Sequence, residues 1–295
     1  LTHKEGEEIN SRQLPKEVVL EAFKPVLLNE SILKIGHNIK YDMHIFANEG
    51  LILQGYEDTM VMSYVLFGGQ HTHGMDELAR LYLNYTTTTF ADVMGSLKHK
   101  TFDYVDMNAA CHYAAEDADV TLQLYNYFKS LLQQKKLAHV YYDIDRPLVA
   151  ILYDMERQGI SVNAATLETL SLDLGHKLEV LQEKIYDLAG QTFNIGSPKQ
   201  LSQVLFEDMK LASGKKGKSG QHSTGIAVLE DLAAKGHTIA KELIEWRQLS
   251  KLKSTYTDAL MECIHPTTHR VHTSFALTVT NTGRLSSSHP NLQNI

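Results

Sequence analysis

The residues best suited to chemistry lie in the segment HYAAEDADVTLQLY, at positions 112 to 125. Asp117 and two further acids are embedded there in an apolar helical pattern, and no Lys or Arg occurs from residue 101 to residue 128. Tyr113 and Asp117 are four residues apart, so they share one helix face. A carboxylate beside a phenol on a packed face can hold a divalent cation and an ordered water. A solvated acid cluster in the first turns of a helix explains the same residues equally well.

A second candidate acid, Asp42, lies in the segment GHNIKYD, directly after a predicted strand. In open α/β sheets functional sites collect at strand ends, so Asp42 is well placed to meet Asp117 from a neighbouring helix. Two carboxylates that converge on Mg²⁺ or Mn²⁺ are the minimum for in-line attack on a phosphodiester, and two metals normally need three or four acids. The alternative for Asp42 is a helix N-terminal cap.

The elements that must position these acids alternate between strand and helix. Short β-branched or apolar runs predict strands at residues 32–36 and 51–55, and helical spacing predicts helices at 15–29, 59–68 and 75–83. Such alternation indicates an α/β layered domain.

The second part of the chain is predicted to be mainly helical, with a domain boundary between residues 137 and 145. A helix is predicted at 164–189, and another begins at Ser197 as N-cap with a proline in the first turn. The sequence therefore predicts two domains, residues 1–140 and 141–295.

Composition narrows the classes of protein. A length of 295 residues suggests about two domains. The net charge of −7 argues against a generally basic nucleic-acid surface but allows local basic patches. The two cysteines are far apart and near no metal-ligand pattern, and no run approaches a membrane helix or a signal peptide, so we expect a soluble protein in a reducing compartment. Because the chain begins with Leu and stops directly after a structured-looking run, we expect a piece of a longer protein.

Basic side chains in the second domain could bind a phosphate backbone through counterion release. Arg247, Lys251 and Ser254 follow i, i+4, i+7 spacing on one helix face. A glycine- and serine-rich loop adds Lys215, Lys216 and Lys218. A solvated helix face and a solvated loop are the alternative, and the signal is weak by itself.

The last segment, residues 270–295, has few core-forming residues after the strand-like RVHTSF, yet it is dense in hydrogen-bonding side chains. Gly283 would let backbone approach a ligand closely, and Arg, Asn and Gln can check the shape of a minor groove without reading sequence. A flexible polar loop is the alternative, which the placement of Leu285, Pro290 and Leu292 disfavours. The polar set is Thr278, Thr280, Asn281, Thr282, Arg284, Ser286, Ser287, Asn291, Gln293 and Asn294.

These motifs together resemble one family. GHNIKYD and YAAEDADVTLQLY resemble the second and third exonuclease motifs of the proofreading domain in bacterial family A DNA polymerases. RQLSKLKSTYTD and RVHTSFALTVTNTGRLSSSHPNLQNI resemble that family's thumb base and the entry to its palm, with order and spacing intact. The resemblance implies an α/β ribonuclease-H-like exonuclease domain, followed by a mainly α-helical polymerase thumb and the beginning of an α+β palm.

The resemblance also implies roles for individual residues. Asp42 and Asp117 would be catalytic metal ligands, Tyr113 would orient the attacking water, Asn38 would support the site, and Phe102 would lie against a frayed primer end. The implied DNA-binding residues are the lysine loop (Lys215, Lys216, Lys218), Arg247, Lys251, Lys253, Thr282, Arg284, Asn291 and Gln293.

The implied parent function is template-directed DNA synthesis with 3′–5′ exonuclease proofreading in DNA replication and repair. Its ligands would be Mg²⁺ or Mn²⁺ at a two-metal site, primer-template DNA, single-stranded 3′ ends and deoxynucleoside triphosphates. A monomer in the cytoplasm, at the bacterial nucleoid, with no membrane association is expected.

This chain departs from the family pattern. No Asp precedes Asp42, so the first exonuclease motif, Asp-x-Glu, is absent, and the acids Asp154 and Glu156 in a later helical segment are interpreted as surface. The polymerase carboxylates would lie beyond Ile295. We therefore expect an incomplete two-metal site and a chain that binds DNA but is nearly or wholly inactive in both reactions. The alternatives are a free-standing 3′–5′ exonuclease with a helical DNA-binding domain and a non-catalytic DNA-binding remnant.

Overall fold

The computed structural model describes most of the chain, namely residues 3–5, 8–9, 13–95, 101–211 and 222–293. Contacts divide it into two units. The first comprises the chain up to Gln158 together with Thr273–Gln293, and the second includes Gly159–His272. This division falls later than the predicted boundary at residue 140, and the segment 273–293 returns to the first unit.

The strands are short and paired two by two. In the first unit β1 pairs antiparallel with β2, β3 parallel with β4, and β7 antiparallel with β8, whereas β5 and β6 form an antiparallel pair in the second unit. Their bounds are β1 Lys4–Glu5, β2 Glu8–Ile9, β3 Lys34–Gly36, β4 Tyr56–Asp58, β5 Ile160–Ser161, β6 Arg270–Val271, β7 Ser274–Ala276 and β8 Ser286–Ser288.

Helices make up most of both units. In the first unit they are α1 Lys16–Leu27, α2 Ile39–Asn48, α3 Thr59–Phe67, α4 Met75–Leu78, α5 Phe90–Met94, α6 Met107–Gln134, α7 Ala138–Val140 and α8 Arg146–Gln158. In the second unit they are α9 Ala164–Ala189, α10 Pro198–Gln203, α11 Ile226–Ala234, α12 Thr238–Leu252 and α13 Ala259–Glu262. Wider π-helical turns continue several of these helices, at Ala79–Leu83, Tyr141–Asp145, Val204–Asp208 and Lys253–Asp258, and 3₁₀ turns lie at Gly68–Gln70 and Phe102–Tyr104.

Most predicted elements are present, with one shift along the chain. The predicted strand at residues 51–55 is wrong in position, because the second strand forms at Tyr56–Asp58. Leu51 and Leu53 precede it and are buried in the core without strand pairing. Their apolar character reflects burial, which periodicity cannot distinguish from a short strand.

One carboxylate fixes the start of two helices. In the parallel register Gly36 lies beside Asp58, so β3 and β4 end together and α2 and α3 both begin there. The buried Asp58 carboxylate accepts hydrogen bonds from the backbone N–H groups of Asn38 and Ile39 at 3.1 and 3.0 Å. It also accepts bonds from two N–H groups in the first turn of α3. Because the first N–H groups of a helix have no intrahelical partner, Asp58 caps both helices.

Each unit has its own core. In the first unit α6 is capped by Asp106, and its apolar face packs with α3 and β3. Val120, Leu124 and Phe128 of that face are essentially inaccessible to solvent. In the second unit α9 packs along α12, and α11 joins them around a separate cluster of buried leucine and isoleucine side chains.

Glu156 corrects a sequence-based interpretation. Asp154 is exposed as expected, but the side chain of Glu156 on α8 is buried, with only 6% of its residue surface accessible. Its carboxylate forms an ion pair with Lys40 and a 2.6 Å contact with His44 Nε2, both on α2, and accepts a 2.5 Å hydrogen bond from the backbone N–H of Phe275 in β7. Glu156 therefore connects α2, α8 and β7, which helps to explain why α8 and the segment 273–293 belong to the first unit.

Replacing Glu156 with Gln should destabilise the first unit. The substitution keeps the size of the side chain but leaves the mostly buried Lys40 ammonium without its counter-charge, and loss of one partner of a buried pair costs about 3 kcal/mol. Urea unfolding followed by far-UV circular dichroism measures the change. The fluorescence of Trp246, the single tryptophan, follows the second unit and should change little.

Asp154→Asn, on the same helix but exposed, is the matched control and should change the free energy of unfolding by less than about 0.5 kcal/mol. Equal effects of the two substitutions would contradict the role given to Glu156.

Candidate active site

Tyr113 and Asp117 lie on one face of α6 and interact electrostatically, as their spacing predicts. Burial raises the pKa of Tyr113 to about 12, and the nearby charge of Asp117 adds to this effect. The phenol therefore remains protonated at neutral pH, beside the carboxylate of Asp117.

Asp117 keeps one oxygen without a partner. Its Oδ1 is buried and has no hydrogen-bond partner. Burial raises the pKa of Asp117, the adjacent Tyr113 phenol lowers it, and the nearby charges of Asp76 and Glu116 raise it again. A buried carboxylate oxygen without a donor is the kind of atom that a hard divalent cation takes as a ligand.

Asp76 is an acid near this pair that the sequence did not indicate. It lies in the first turn of α4, and its Oδ1 accepts a 2.6 Å hydrogen bond from Thr87 Oγ1. Its charge raises the pKa of both Tyr113 and Asp117. The segment MDELARLYL predicts a helix. No local pattern shows that Asp76 lies near α6, because a loop later in the chain brings the two helices together.

Asp42 lies in the first turn of α2 and is partly buried. Burial raises its pKa, and a hydrogen bond with its own backbone opposes the rise. It does not cap the helix: Asn38 occupies the N-cap position in a left-handed conformation with φ of 60°, and Asp58 supplies the accepting carboxylate. Since α6 packs against β3, the strand that leads into α2, Asp42 and Asp117 lie on elements that both contact β3.

The donor set for a metal is incomplete within the part of the chain described. No group of three His, Cys, Asp or Glu side chains in those residues has a metal-binding arrangement. What the structure offers is the unpartnered Oδ1 of Asp117 and the partly exposed carboxylate of Asp42. These oxygens suit Mg²⁺ or Mn²⁺ in type, and they fall short of a two-metal site in number.

Aromatic rings adjoin the acids. Phe102 lies 5.9 Å from Tyr113 between ring centroids, and Phe90 stacks on Phe102 at 5.7 Å with an interplanar angle of 17°. Phe90 is 54% exposed, so the series of rings Tyr113, Phe102 and Phe90 ends in an aromatic ring that solvent can reach. Sequence reasoning indicated Phe102 but missed Phe90, whose only local signal is its position directly after the capping residue Thr89.

Several basic residues indicated by the sequence have partners within the second unit. Arg247 donates to the backbone oxygen and hydroxyl of Thr224, and burial lowers its pKa. Lys253 bonds Asp258 at 2.7 Å and Ser171 at 3.0 Å, whereas Lys251 is exposed. The loop lysines Lys215, Lys216 and Lys218 lie outside the described residues.

The polar side chains of the segment 273–293 divide into two groups. Gln293 accepts from the backbone N–H of Ser287 and donates to the backbone oxygen of Leu285, and Asn291 Oδ1 accepts from Ser287 and Gln293, so these amides shape the β7–β8 hairpin. Arg284 and Thr282 are exposed at its tip.

His37, which precedes α2, is held neutral. Its Nδ1 lies 2.9 Å from Thr59 Oγ1, and that hydroxyl donates to the backbone oxygen of Gly36, so Nδ1 carries the proton. Nε2 is buried without a partner. Burial lowers the pKa of His37 to about 4, against smaller opposing effects of the His73 backbone and the Asp76 charge.

Two family descriptions match consecutive parts of this chain. Residues 2–133 match the 3′–5′ exonuclease family, and residues 164–295 match DNA polymerase family A. The first part of the chain therefore matches the exonuclease family and the second part matches the family A DNA polymerases, which confirms the resemblance seen in the motifs.

Named relatives agree with this assignment. The DNA polymerase I of Rhizobium leguminosarum is 48% identical over 291 residues, which cover 98% of this chain and 29% of the relative. That of Pseudomonas aeruginosa is 46% identical over 288 residues, covering 96% and 32%. A solved structure described as the POL domain of Pol1 from M. smegmatis in complex with DNA primer-template and dNTP is similar with a TM-score of 0.78 at 29% identity, covering 97% of this chain and 47% of that chain. The chain spans about a third of the length of these curated relatives.

Within the described ranges, none of the helices combines the length and apolar character needed to cross a membrane.

The state of His37 predicts a pH dependence of stability. His37 takes up a proton near pH 6.5 in the unfolded chain but only near pH 4 in the folded chain. Between these values the unfolded state therefore binds more protons, and the free energy of unfolding decreases as pH falls. Between pH 7 and pH 5 this contributes a loss of about 2 kcal/mol. Asp58 acts in the opposite sense, because burial raises its pKa to about 6 and the folded state binds the extra proton.

Comparison with His37→Gln separates the two effects. The variant retains Asp58 but should lose stability less steeply than the unaltered chain between pH 7 and pH 5, as measured by urea unfolding at each pH. His112→Gln, at an exposed position of α6, should keep the original slope. If His37→Gln and the unaltered chain show the same slope, His37 is not held neutral.

Proposed function

We propose that these 295 residues are the proofreading and thumb portion of a bacterial DNA polymerase that acts in DNA replication and repair. The observation that carries the proposal is the matching order of two independent parts, an exonuclease domain followed by a family A polymerase domain, along one chain. The first unit would handle single-stranded 3′ ends, and the polymerase part would hold primer-template DNA. The parent would use deoxynucleoside triphosphates and act as a monomer at the nucleoid.

The parallel pair β3–β4, with α2 and α3 starting at its carboxyl end, supports a ribonuclease-H-like assignment for the exonuclease part. Asp42 and Asp117 would hold Mg²⁺ or Mn²⁺, and Asn38 would support Asp42 from the cap of α2. When bound, the cation supplies Lewis acidity and lowers the pKa of a coordinated water.

The side chains around Asp117 contribute orientation. Tyr113 remains protonated beside Asp117, and the Oδ1 of Asp117 has no hydrogen-bond partner. Its phenolic oxygen can also accept a hydrogen bond from a water and orient that water. The Phe90–Phe102 stack offers a face for an unpaired base, because bases stack on aromatic rings with little regard to sequence.

The polymerase part would contribute DNA binding. Arg284 and Thr282 are exposed at the tip of the β7–β8 hairpin, where they would meet the minor groove of a primer-template duplex, and Lys251 would contact phosphate. We also assign DNA-binding roles to Asn291, Gln293, Arg247, Lys253 and the lysine loop Lys215, Lys216 and Lys218. The internal bonds of Asn291 and Gln293 support a role for them in shaping the hairpin that presents Arg284.

Cleavage by these residues alone should be very slow. Within this sequence no Asp precedes Asp42, and a two-metal phosphodiester site needs three or four acids. We therefore propose that the 295 residues bind DNA and that catalysis belongs to the longer parent.

Binding of a fluorescent primer-template duplex, measured by anisotropy over a series of salt concentrations, tests this function. We expect salt-sensitive binding that Arg284→Ala weakens about tenfold, since a hydrogen bond from a charged group contributes about 1.4 kcal/mol. Lys251→Ala should reduce the salt slope by about 1. Lys235→Ala, an exposed lysine already paired with Asp231, should leave both values unchanged.

A parallel assay follows nucleotide release from single-stranded 3′ ends with Mg²⁺ and with Mn²⁺. Rapid release that Asp117→Asn abolishes would favour a free-standing exonuclease. Failure to bind primer-template DNA at low salt would contradict the proposed function.

A further inference from the structure

A tyrosine from the exonuclease part holds both ends of the loop that precedes Arg284. The hydroxyl of Tyr64 on α3 donates to the backbone oxygen of Thr280 at 2.6 Å and accepts from the backbone N–H of Gly283 at 3.1 Å. Thr280 Oγ1 in turn donates to the backbone oxygen of Arg284 at 2.5 Å. A single side chain therefore connects α3 to the backbone on which Arg284 is mounted.

The loop also makes packing contacts with the rest of the first unit. Leu277 packs against the core, but Val279 is 65% exposed, and a cavity of about 510 Å³ lies beside Thr278 and Asn281. At Gly69 the loop approaches closely, since a Cβ there would lie 2.3 Å from Asn281 Cγ. Side-chain hydrogen bonds from Tyr64 thus supply directional contacts that apolar packing does not.

The anchor itself is rigid. Tyr64 is half-buried, and its ring meets His73 edge-on at 5.4 Å between centroids. His73 in turn is bonded to Ser63 and to the backbone oxygen of Gly68. The start of α3 is capped by Asp58. Because the backbone of Tyr64 is fixed and its ring is packed, its hydroxyl is held in one position. It can therefore keep the loop in one position, which a flexible side chain cannot do.

We propose that Tyr64 is a positioning residue for DNA binding by Arg284, so that an exonuclease helix sets the geometry of a polymerase contact with the primer-template duplex. This inference rests on the proposed function of the Arg284 loop. Without the hydroxyl, the Thr280 oxygen and the Gly283 N–H turn to solvent and the loop samples more conformations. Arg284 then reaches the duplex only in a fraction of them, which lowers its apparent affinity.

A double-mutant cycle tests the proposal. Tyr64→Phe keeps the ring and removes only the hydroxyl, and should weaken primer-template binding by the full chain about fivefold. In an Arg284→Ala background the same change should have no further effect, because the contact that it positions is already gone. Tyr56→Phe removes another first-unit hydroxyl, one that donates to the backbone oxygen of Arg146, and should leave binding unchanged.

Hydrogen exchange of a peptide covering residues 277–286 provides a readout that is independent of DNA. Tyr64→Phe should increase exchange at the Gly283 amide, and Tyr56→Phe should not. If Arg284→Ala does not weaken DNA binding but Tyr64→Phe still increases exchange at Gly283, the proposed DNA-binding function is wrong. The role of Tyr64 in holding the loop is then still supported. Unchanged exchange in Tyr64→Phe, or an equal loss of affinity with and without Arg284, would overturn the positioning role.

Discussion

The structure of the first unit depends on one buried carboxylate at the end of a two-stranded parallel sheet. Asp58 ends β4 beside Gly36 of β3, and its oxygens accept hydrogen bonds from the N-termini of both α2 and α3. Four backbone donors offset the cost of burying this acid, which would otherwise be high. Both helices are consequently fixed in direction at their first turn, and the side chains further along them are placed by this constraint.

Helices α2 and α3 each contact the segment 273–293, which lies in the polymerase part of the sequence and belongs to the first unit. Lys40 and His44 of α2 meet Glu156, which holds the backbone of Phe275, and Tyr64 of α3 meets the loop of residues 280–283. The same helix α2 bears Asp42. The candidate nuclease acid and the candidate duplex-binding hairpin are therefore supported by one framework, although they are far apart in sequence and belong to different functions in the family.

Local chemistry explains what could be predicted from the sequence. Helical spacing placed Tyr113 beside Asp117, and the Ser197 cap and the limits of α9 follow from turn and periodicity rules. What could not be predicted depends on partners distant in sequence. Glu156 resembles any surface acid until Lys40 is packed against it, and Asp76 approaches Asp117 only through a loop. The hydrogen bonds that Asn291 and Gln293 form within the hairpin likewise leave no periodic signal in the sequence.

Amide hydrogen exchange of Asp58→Asn measures the central constraint most directly. The substitution keeps the volume but replaces one acceptor with an NH₂ group that faces backbone donors, so both helix starts lose bonds. We predict that protection falls together in peptides covering residues 38–44, 59–65 and 274–284, while peptides of α9 and α12 in the second unit keep theirs. A loss confined to the first turn of α3 would contradict the claim that this carboxylate organises both helices and the hairpin that they support.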